Sequence, residues 1–272
     1  MNRKTFIKTL ILTSGAIMLS NKKLFFKSND EDIITLKMIY NNFSSNQQLK
    51  NEWGLSIWIE YKNDVVLFDT GGNPLALWEN IEKLNLNTQR ISTIIISHLH
   101  WDHINGLPLI LEKTNNKPKI YVPEHDLETI KATASGGNYI GITEPQKIND
   151  LIWTTGQMEA SYKNNSFCEQ SIIIQKENAI YVFTGCSHPG IVEIVEKSIS
   201  IFPNKIIQLV AGGFHLLQHS EEQVKNISDK FKELEIQKIA PSHCTGEKAI
   251  EIFRDQWKEN FVDFNLGDRI NL

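Results

Sequence analysis

The pattern of apolar and polar positions predicts alternating strands and helices, with one buried strand at the centre of the scheme. Ile94, Ile95 and Ile96 form a short β-branched run, which is typical of a strand buried on both faces. Two pairs of apolar segments, each joined by a short polar turn, predict hairpins. These pairs are residues 55–61 with 65–69, and residues 171–175 with 179–184.

The remaining segments predict the layers of a domain. Helices are predicted over residues 74–84, 106–112, 125–134, 190–201, 221–234 and 247–258, and single strands over 33–40 (at a sheet edge), 120–122, 206–210, 236–240 and 262–266. Residues 135–150 are rich in glycine and polar residues and predict a long loop that shapes a pocket. Both halves begin with a hairpin and pass into strand–helix units without a linker. The expectation is an α/β fold over residues 31–272: two mixed β-sheets packed face to face and flanked by helices, a four-layer αββα sandwich.

Composition narrows the class of partner. The 272 residues have an ordinary globular composition, and no apolar run is long enough to span a bilayer. A formal net charge of −4 argues against a nucleic-acid-binding surface, although not against a local basic patch. We expect a small-molecule substrate. Cys168, Cys186 and Cys244 are too few and odd in number for a disulfide framework, although one pair could bridge in an exported protein.

Residues 1–30 differ from the rest of the chain and predict an export signal with a linker. Arg3, Lys4 and Lys8 precede a short apolar run over residues 9–19, which is the layout of a secretory signal. No clean cleavage site follows, and an ordinary amphipathic first helix is the alternative. The expected location is periplasmic or extracellular, with the cytoplasm as the alternative.

The candidate chemistry begins directly after the buried strand. Three imidazoles and a carboxylate follow one another closely: His98, His100, Asp102 and His103. These groups are ligands for borderline and harder divalent metals. His98 and His100 could face one ion, and Asp102 and His103 could face another. A cluster of this density predicts a metal site rather than a polar loop.

Three more histidines follow predicted strands and extend this site. They are His188, His215 and His243. Ligands gather at strand ends in layered α/β folds, so all these side chains are expected to converge on one edge of the sandwich. Asp69 also ends a strand, and we expect it to accept hydrogen bonds from the ligand loop rather than to bind metal.

The motif His98-x-His100-x-Asp102-His103 resembles the signature of the metallo-β-lactamase-fold superfamily, a group of mostly dinuclear metallohydrolases. Four other stretches agree with it in order: Phe-Asp-Thr-Gly-Gly at 68–72, Thr-Gly-Cys-Ser-His-Pro-Gly at 184–190, Gly-Gly-Phe-His-Leu at 212–216 and Pro-Ser-His-Cys-Thr-Gly at 241–246. The set is similar to the branch named after 7,8-dihydropterin-6-yl-methyl-4-(β-D-ribofuranosyl)aminobenzene 5′-phosphate synthase. The resemblance runs from about residue 33 to the C-terminus and implies the metallo-β-lactamase fold.

The resemblance also implies two divalent metal ions, zinc first and manganese or iron as alternatives. His98, His100 and His188 would hold one ion, while Asp102, His103 and His243 would hold the second. The chain departs from the common pattern at Cys186, where many members have a bridging aspartate, and it lacks the usual histidine in the preceding hairpin. We expect Cys186 to be a ligand or to lie beside one, and His188 to replace the missing histidine.

The leading functional hypothesis from the sequence is a metal-dependent hydrolase acting on a small anionic ester, most plausibly a phosphoester. A divalent metal lowers the pKa of bound water to about 7, Asp102 would orient the nucleophile, and a protonated His215 would serve the leaving group. His215 could instead be a further ligand or a structural residue. The alternatives are a condensation of the kind that names the branch and a non-catalytic metal-binding or ligand-binding protein. Trp53, Trp101 and Trp153 could line a pocket for a flat ring, or could simply pack.

Overall fold

The computed structural model describes residues 33–44, 46–115 and 117–272, and within them the chain forms fifteen β-strands and seven α-helices. The strands are β1 (Ile34–Asn41), β2 (Leu55–Tyr61), β3 (Asp64–Phe68), β4 (Ile91–Ile95), β5 (Lys119–Pro123), β6 (Asn138–Ile142), β7 (Gln146–Lys147), β8 (Ile152–Thr154), β9 (Met158–Tyr162), β10 (Asn165–Glu169), β11 (Ile172–Lys176), β12 (Ala179–Thr184), β13 (Ile206–Gly213), β14 (Ile239–Ser242) and β15 (Arg269–Asn271). The helices are α1 (Pro74–Lys83), α2 (Trp101–Ile104), α3 (Leu107–Lys113), α4 (Leu127–Thr133), α5 (Ile191–Ile201), α6 (Glu221–Glu233) and α7 (Glu247–Trp257). None of these helices is long and apolar enough to cross a membrane. The predicted export segment lies outside the described residues.

Two mixed sheets and their flanking helices make four layers, as the sequence predicted. The first sheet has the order β15-β1-β2-β3-β4-β5-β6 and the second β14-β13-β12-β11-β8-β7. An apolar core between the sheets joins residues such as Phe68 of the first to Phe183 of the second. Separate apolar clusters lie under the helices of each sheet, around Leu77 in one half and Phe231 in the other. The αββα sandwich is thus confirmed.

The strand β4 is buried on both faces because its alternate side chains enter two different cores. Ile95 points into the cluster between the sheets, while Ile94 packs in the cluster under the helices. The strand runs parallel to both of its neighbours, β3 and β5. A strand with helices on one face and a sheet on the other needs apolar residues at successive positions. The polar residues that follow it are therefore delivered at the carboxyl edge of the sheet.

Several local expectations were wrong. The strand β1 does not lie at an edge, because β15 pairs with it through Leu36 and Ile270. The predicted loop 135–150 contains β6 and β7, and the last strand is β15 rather than residues 262–266. The hairpin of β9 and β10, which pair from Asn165 to Glu169, was not predicted.

The loop after β3 is held tightly against the turn that carries the histidine motif. Thr70 donates two hydrogen bonds to the carbonyl of His103, from its backbone N–H at 2.7 Å and from Oγ1 at 2.8 Å. A Cβ at Gly106 would lie 2.0 Å from the carbonyl oxygen of Thr70, so only glycine allows this approach. This close approach of the loop to the turn fixes the motif relative to β3.

Candidate metal centre

The carboxyl ends of four strands bring the histidines together. The ring centroids of His98 and His103 are 4.2 Å apart, those of His103 and His243 5.2 Å, and those of His188 and His215 4.3 Å. These residues follow β4, β12, β13 and β14, which the sheets place at one edge of the sandwich. The predicted convergence is confirmed.

One group of donors consists of Asp102, His103, Cys186 and His243, whose ligand atoms all lie within 4.8 Å of one another. All four side chains are buried. Asp102 Oδ2 lies 3.6 Å from His103 Nε2 and 3.3 Å from His243 Nε2, while Cys186 Sγ lies 3.2 Å from His103 Nε2. The structure therefore joins the residues predicted for the second ion and adds Cys186 to them.

A second group contains His98, Cys186 and His188, again within 4.8 Å. His100 lies beside it, with Nδ1 3.1 Å from His98 Nε2 and its ring centroid 4.7 Å from that of His188. The three histidines predicted for the first ion are therefore neighbours. His100 stands outside the group that includes the Cys186 sulfur.

A third group was not predicted as such: Cys186, His215 and Cys244 also lie within 4.8 Å of one another. Cys186 belongs to all three groups and lies where they meet. The three cysteines of the chain are free thiols, so the disulfide considered for an exported protein is not formed.

Each of four histidines has one ring nitrogen fixed by a side-chain oxygen, which leaves the other nitrogen for a ligand. The Nδ1 atoms of His98, His103, His188 and His243 lie 2.7–2.9 Å from Ser97 Oγ, Asp69 Oδ2, Glu169 Oε2 and Asn42 Oδ1, respectively. Such partners orient metal-binding imidazoles in proteins and set their tautomer. His243 Nε2 is buried near Asp102 but makes no hydrogen bond of good geometry among the described residues. This donor set fits divalent metal ions.

Asp69 has the predicted role of a hydrogen-bond acceptor. Its two carboxylate oxygens accept from the backbone N–H and the hydroxyl of Ser97, each at 2.7 Å, and one also contacts His103. The carboxylate is fully buried under the ligand loop. Asp69 therefore holds the ligand loop in place through these hydrogen bonds.

Glu169 is a functional candidate that sequence reasoning missed. Its carboxylate accepts hydrogen bonds from the backbone N–H groups of Cys186, Ser187 and His188, each at 2.8 Å, as well as contacting the His188 ring. Burial would raise its pKa, but the contacts to His188 and to the backbone outweigh burial and lower it to about 2. Its position in the hairpin where the resemblance implied a histidine was the one available signal.

Electrostatics divide the imidazoles into two kinds. Burial holds the pKa of His98 well below its usual range and lowers that of His100 to about 4, so both are neutral and offer a lone pair. Burial would also lower the pKa of His103, but the carboxylates of Asp102 and Asp69 outweigh it and raise the pKa to about 9. A metal at His103 must therefore replace a proton.

Three neighbouring groups influence one another's protonation: Cys186, Cys244 and His215. Burial raises the pKa of Cys186 well above its usual range. For Cys244, the hydrogen bond with Cys186 and the nearby His243 outweigh burial and lower the pKa. The hydrogen bond with Cys244 raises the pKa of His215.

Four residues at this edge have a strained backbone conformation. Asp69, Ser187, His215 and His243 all have φ between 51° and 66°, in the left-handed region that residues other than glycine rarely occupy. Such conformations persist where the surrounding structure enforces them, and they cluster at functional sites. The strain supports a site that the fold holds in place.

Exposed aromatic side chains surround the histidines. Trp53 is 39% exposed and its ring lies 5.0 Å from that of His243, and Trp101 is 55% exposed. Tyr162, from the β9–β10 hairpin, is 37% exposed and lies 5.6–5.9 Å from the rings of three of the histidines. Trp153 is elsewhere, against Phe202. Two of the three tryptophans considered for a flat-ring pocket are therefore at the site.

Comparison with known proteins gives the same picture. Residues 54–159 match the family model of the metallo-beta-lactamase superfamily. The chain is 30% identical to the 7,8-dihydropterin-6-methyl-4-(beta-D-ribofuranosyl)-aminobenzene-5′-phosphate synthase of Methanocaldococcus jannaschii, over 89% of this chain and 96% of that protein. A shorter match, 34% identical over 31% of this chain and 28% of the relative, is to ribonuclease Z of Pyrococcus abyssi.

Solved structures share the fold. A crystal structure of a metal-dependent hydrolase of the beta-lactamase superfamily has a TM-score of 0.71 at 24% identity, covering 87% of this chain and 98% of that one. The short form of human tRNase Z has a TM-score of 0.57 at 14% identity, with the same coverage of 87% and 98%. At these identities the likeness establishes the architecture alone.

Proposed function

The chain belongs to the metallo-β-lactamase superfamily, a family of enzymes, and from that premise we propose that it is a metal-dependent transferase acting on a flat heteroaromatic substrate that carries phosphate. The observation that carries the proposal is the cluster of buried donor atoms. The Nδ1 atoms of four of its histidines are held by side-chain oxygens, and exposed aromatic side chains lie around it. The synthase relative, matched over nearly its whole length, supports transfer over the hydrolysis that the sequence put first.

The proposed metal ligands are those of the first two donor groups together with His100, which lies beside the second group. His98, His100 and His188 would hold one ion, Asp102, His103 and His243 the other, and Cys186 is shared by both groups. Bound divalent ions would neutralise the charge of a phosphate leaving group and polarise its bonds. Imidazole and thiolate donors favour zinc, whereas the carboxylate leaves manganese or iron as alternatives.

The proposed reaction forms a carbon–nitrogen bond. The nitrogen of an aromatic amine bonds to a methylene carbon attached to the heteroaromatic ring. The bond from that carbon to the oxygen of a phosphate or diphosphate breaks, and the amine loses a proton. Burial would raise the pKa of Asp102, but His103 and His243 hold it well below its usual range, so Asp102 is a carboxylate that can accept a hydrogen bond from the amine and orient it, while the released proton passes to solvent. The buried His215 Nδ1 has no partner among the described residues and is suited to donate a hydrogen bond to the leaving oxygen.

The residues around the site suit both the flat ring and the phosphate of such a substrate. Trp53, Trp101 and Tyr162 offer faces on which a flat ring can stack. Lys163 places its ammonium 5.0 Å from the centroid of the Tyr162 ring, which adds positive charge at the edge for a phosphate. Tyr162→Ala is expected to raise KM for an aromatic substrate by about tenfold, corresponding to the loss of about one stacked ring contact, while Tyr162→Phe keeps KM within about twofold.

The test uses protein reconstituted with zinc or manganese. A dihydropterin bearing a methylene diphosphate is supplied with a ribosylated aminobenzene phosphate, and the coupled product is measured by mass spectrometry. We expect about two metal ions per chain and coupling that is lost in His100→Ala and His243→Ala but kept in the exposed control His125→Ala. No bound metal after reconstitution would end the proposal.

Hydrolysis of a phosphoester is the second candidate, and the matches to ribonuclease Z over the motif region favour it. The same protein is therefore assayed with aryl phosphodiesters. Hydrolysis without coupling, lost in the same two variants, would place this candidate first. Tight metal binding without either reaction would favour a non-catalytic binding protein.

A further inference from the structure

The third donor group, made of Cys186, His215 and Cys244, has no part in the two metal positions proposed above except through Cys186. Cys186 and Cys244 are 4% and 2% exposed, so both sulfurs are withdrawn from solvent. These two lie among imidazoles at the strand ends.

The backbone makes room for the second sulfur. A Cβ at Gly213 would lie 2.6 Å from Cys244 Sγ and 2.4 Å from the carbonyl oxygen of Gly185, so any larger residue would displace the thiol. Cys244 Sγ lies 3.4 Å from the carbonyl oxygen of Cys186, which directs it toward that residue. The close packing around Gly213 therefore brings the sulfurs of Cys186 and Cys244 side by side.

His215 completes the group with a nitrogen. Its backbone is held at φ 55°, a conformation that costs energy, and its ring lies with a ligand atom within 4.8 Å of both sulfurs. Its buried Nδ1 has no hydrogen-bond partner among the described residues and is kept for hydrogen bonding to a leaving group. The other ring nitrogen, Nε2, is then the atom that would bind the ion.

We propose that Cys186, Cys244 and His215 form a binding site for a soft, thiophilic cation such as Zn²⁺ or Cd²⁺, adjoining the two positions proposed above. Two thiolates and an imidazole are the donors that soft and borderline ions prefer, whereas Mn²⁺ and Mg²⁺ prefer oxygen. Because Cys186 is shared, an ion in this site draws that sulfur away from the two neighbouring groups. The role of Cys186 in this site rests on the metal centre proposed above, whereas the role of Cys244 does not.

Cadmium is the probe, because its bonds to thiolates absorb in the near ultraviolet and the absorption grows with the number of sulfurs. The full-length reduced protein is titrated with Cd²⁺. The wild type is expected to show the absorption of two thiolates, Cys244→Ser about half of it, and Cys168→Ser, a buried thiol on β10, the full wild-type signal. Cd²⁺ affinity is expected to fall at least about tenfold in Cys244→Ser and to stay unchanged in Cys168→Ser.

Cadmium NMR of the wild type gives the same answer without a substitution that could impair folding, since the chemical shift reports the number of bound sulfurs. A shift for two sulfurs supports the site. An unchanged Cd²⁺ absorption in Cys244→Ser, or a wild-type shift for one sulfur or none, overturns it while leaving the proposed function intact. Failure of the protein to bind zinc or cadmium at all overturns both.

Discussion

At the scale of single residues, Cys186 is the point on which the candidate site depends. Its sulfur belongs to every donor group, its backbone N–H is held at 2.8 Å by Glu169, and it is followed by Ser187 in a strained conformation. Burial raises the pKa of its thiol, so the free protein holds it protonated. A bound metal ion would deprotonate it.

Cys186→Ala is expected to lower the metal content and to reduce turnover at least about a hundredfold, because several donor groups lose a member at once. Cys186→Asp should keep two ions and shift preference from zinc toward manganese, since a carboxylate is the harder ligand. Elemental analysis after dialysis against each metal measures both effects, with Cys168→Ala as the control. Full metal content and an unchanged rate in the alanine variant would refute the ligand role.

Glu169 contributes to the site indirectly, by holding the ring of His188. Glu169→Gln removes the charge that holds the His188 ring and keeps the side-chain size, so metal affinity at the His98–His188 group should fall about 10–100-fold. Binding isotherms monitored with zinc measure the change, and the Asp102–His103–His243 group serves as an internal reference. Glu159→Gln, exposed on β9 of the same hairpin, is the matched control. Equal weakening of both groups would point to a general loss of structure instead.

At the scale of elements, the site depends on two connections that contact different histidines. The loop after β3 is bonded to the turn that carries His103, and the β9–β10 hairpin brings Tyr162 and Phe167 against His100 and His188. Neither connection is a strand of the two main sheets. The sheets place the ligands, and these connections shape the space above them.

Gly106→Ala tests the first connection. The added Cβ would lie 2.0 Å from the carbonyl oxygen of Thr70 and 2.7 Å from Leu77, in a position where neither the backbone nor the core can yield easily. We expect a loss of about 1–3 kcal/mol in the free energy of unfolding, measured by chemical denaturation. The control is Gly136→Asn, where a side chain would meet open space and asparagine tolerates the positive φ. A stable Gly106→Ala variant would show that the loop and the turn separate without cost.

At the scale of the whole molecule, the buried charges make metal-free stability depend on pH. The pKa of His103 is raised from its usual 6.5 to about 9 by Asp102 and Asp69. The stability that this protonated ring contributes is complete below about pH 6.5 and is lost as the pH rises through about 9. Metal binding replaces the proton and should remove the dependence.

The melting temperature of protein treated with EDTA should therefore fall by about 5 °C or more between pH 6.5 and pH 9.5. The zinc-loaded protein, scanned over the same range, is the control and should change less. A metal-free protein whose melting temperature is constant across this window would contradict the proposed charge arrangement around His103.

A chain that begins at Asn29 is expected to match the full chain in melting temperature and turnover. The described core contains residues from Ile34 onward, and the apolar run at residues 9–19 was predicted to serve export. Thermal melting of the two chains side by side measures this. Loss of soluble protein on truncation would indicate that the first residues pack into the domain.

The sequence by itself determined the architecture and most of the candidate ligands. The apolar run before His98 predicts a buried strand, and polar residues directly after such a strand must emerge at a sheet edge. The histidines that follow β12, β13 and β14 obey the same rule, so their convergence needed no knowledge of distances. These features can be predicted from the sequence because each depends on residues that are close together in the chain.

Only the tertiary structure decided which partners those ligands have. Glu169 lies 19 residues from His188, and Asn42 lies 201 residues from His243, so no local pattern joins them. β15 covers β1 from the far end of the chain, and the pairing of β9 with β10 sets where Tyr162 stands. Such contacts depend on the register and packing of whole sheets, in which a shift of one residue would turn each side chain to the opposite face. The third donor group is of this kind, because Cys186 and Cys244 become neighbours only when β12 and β14 are placed on either side of β13.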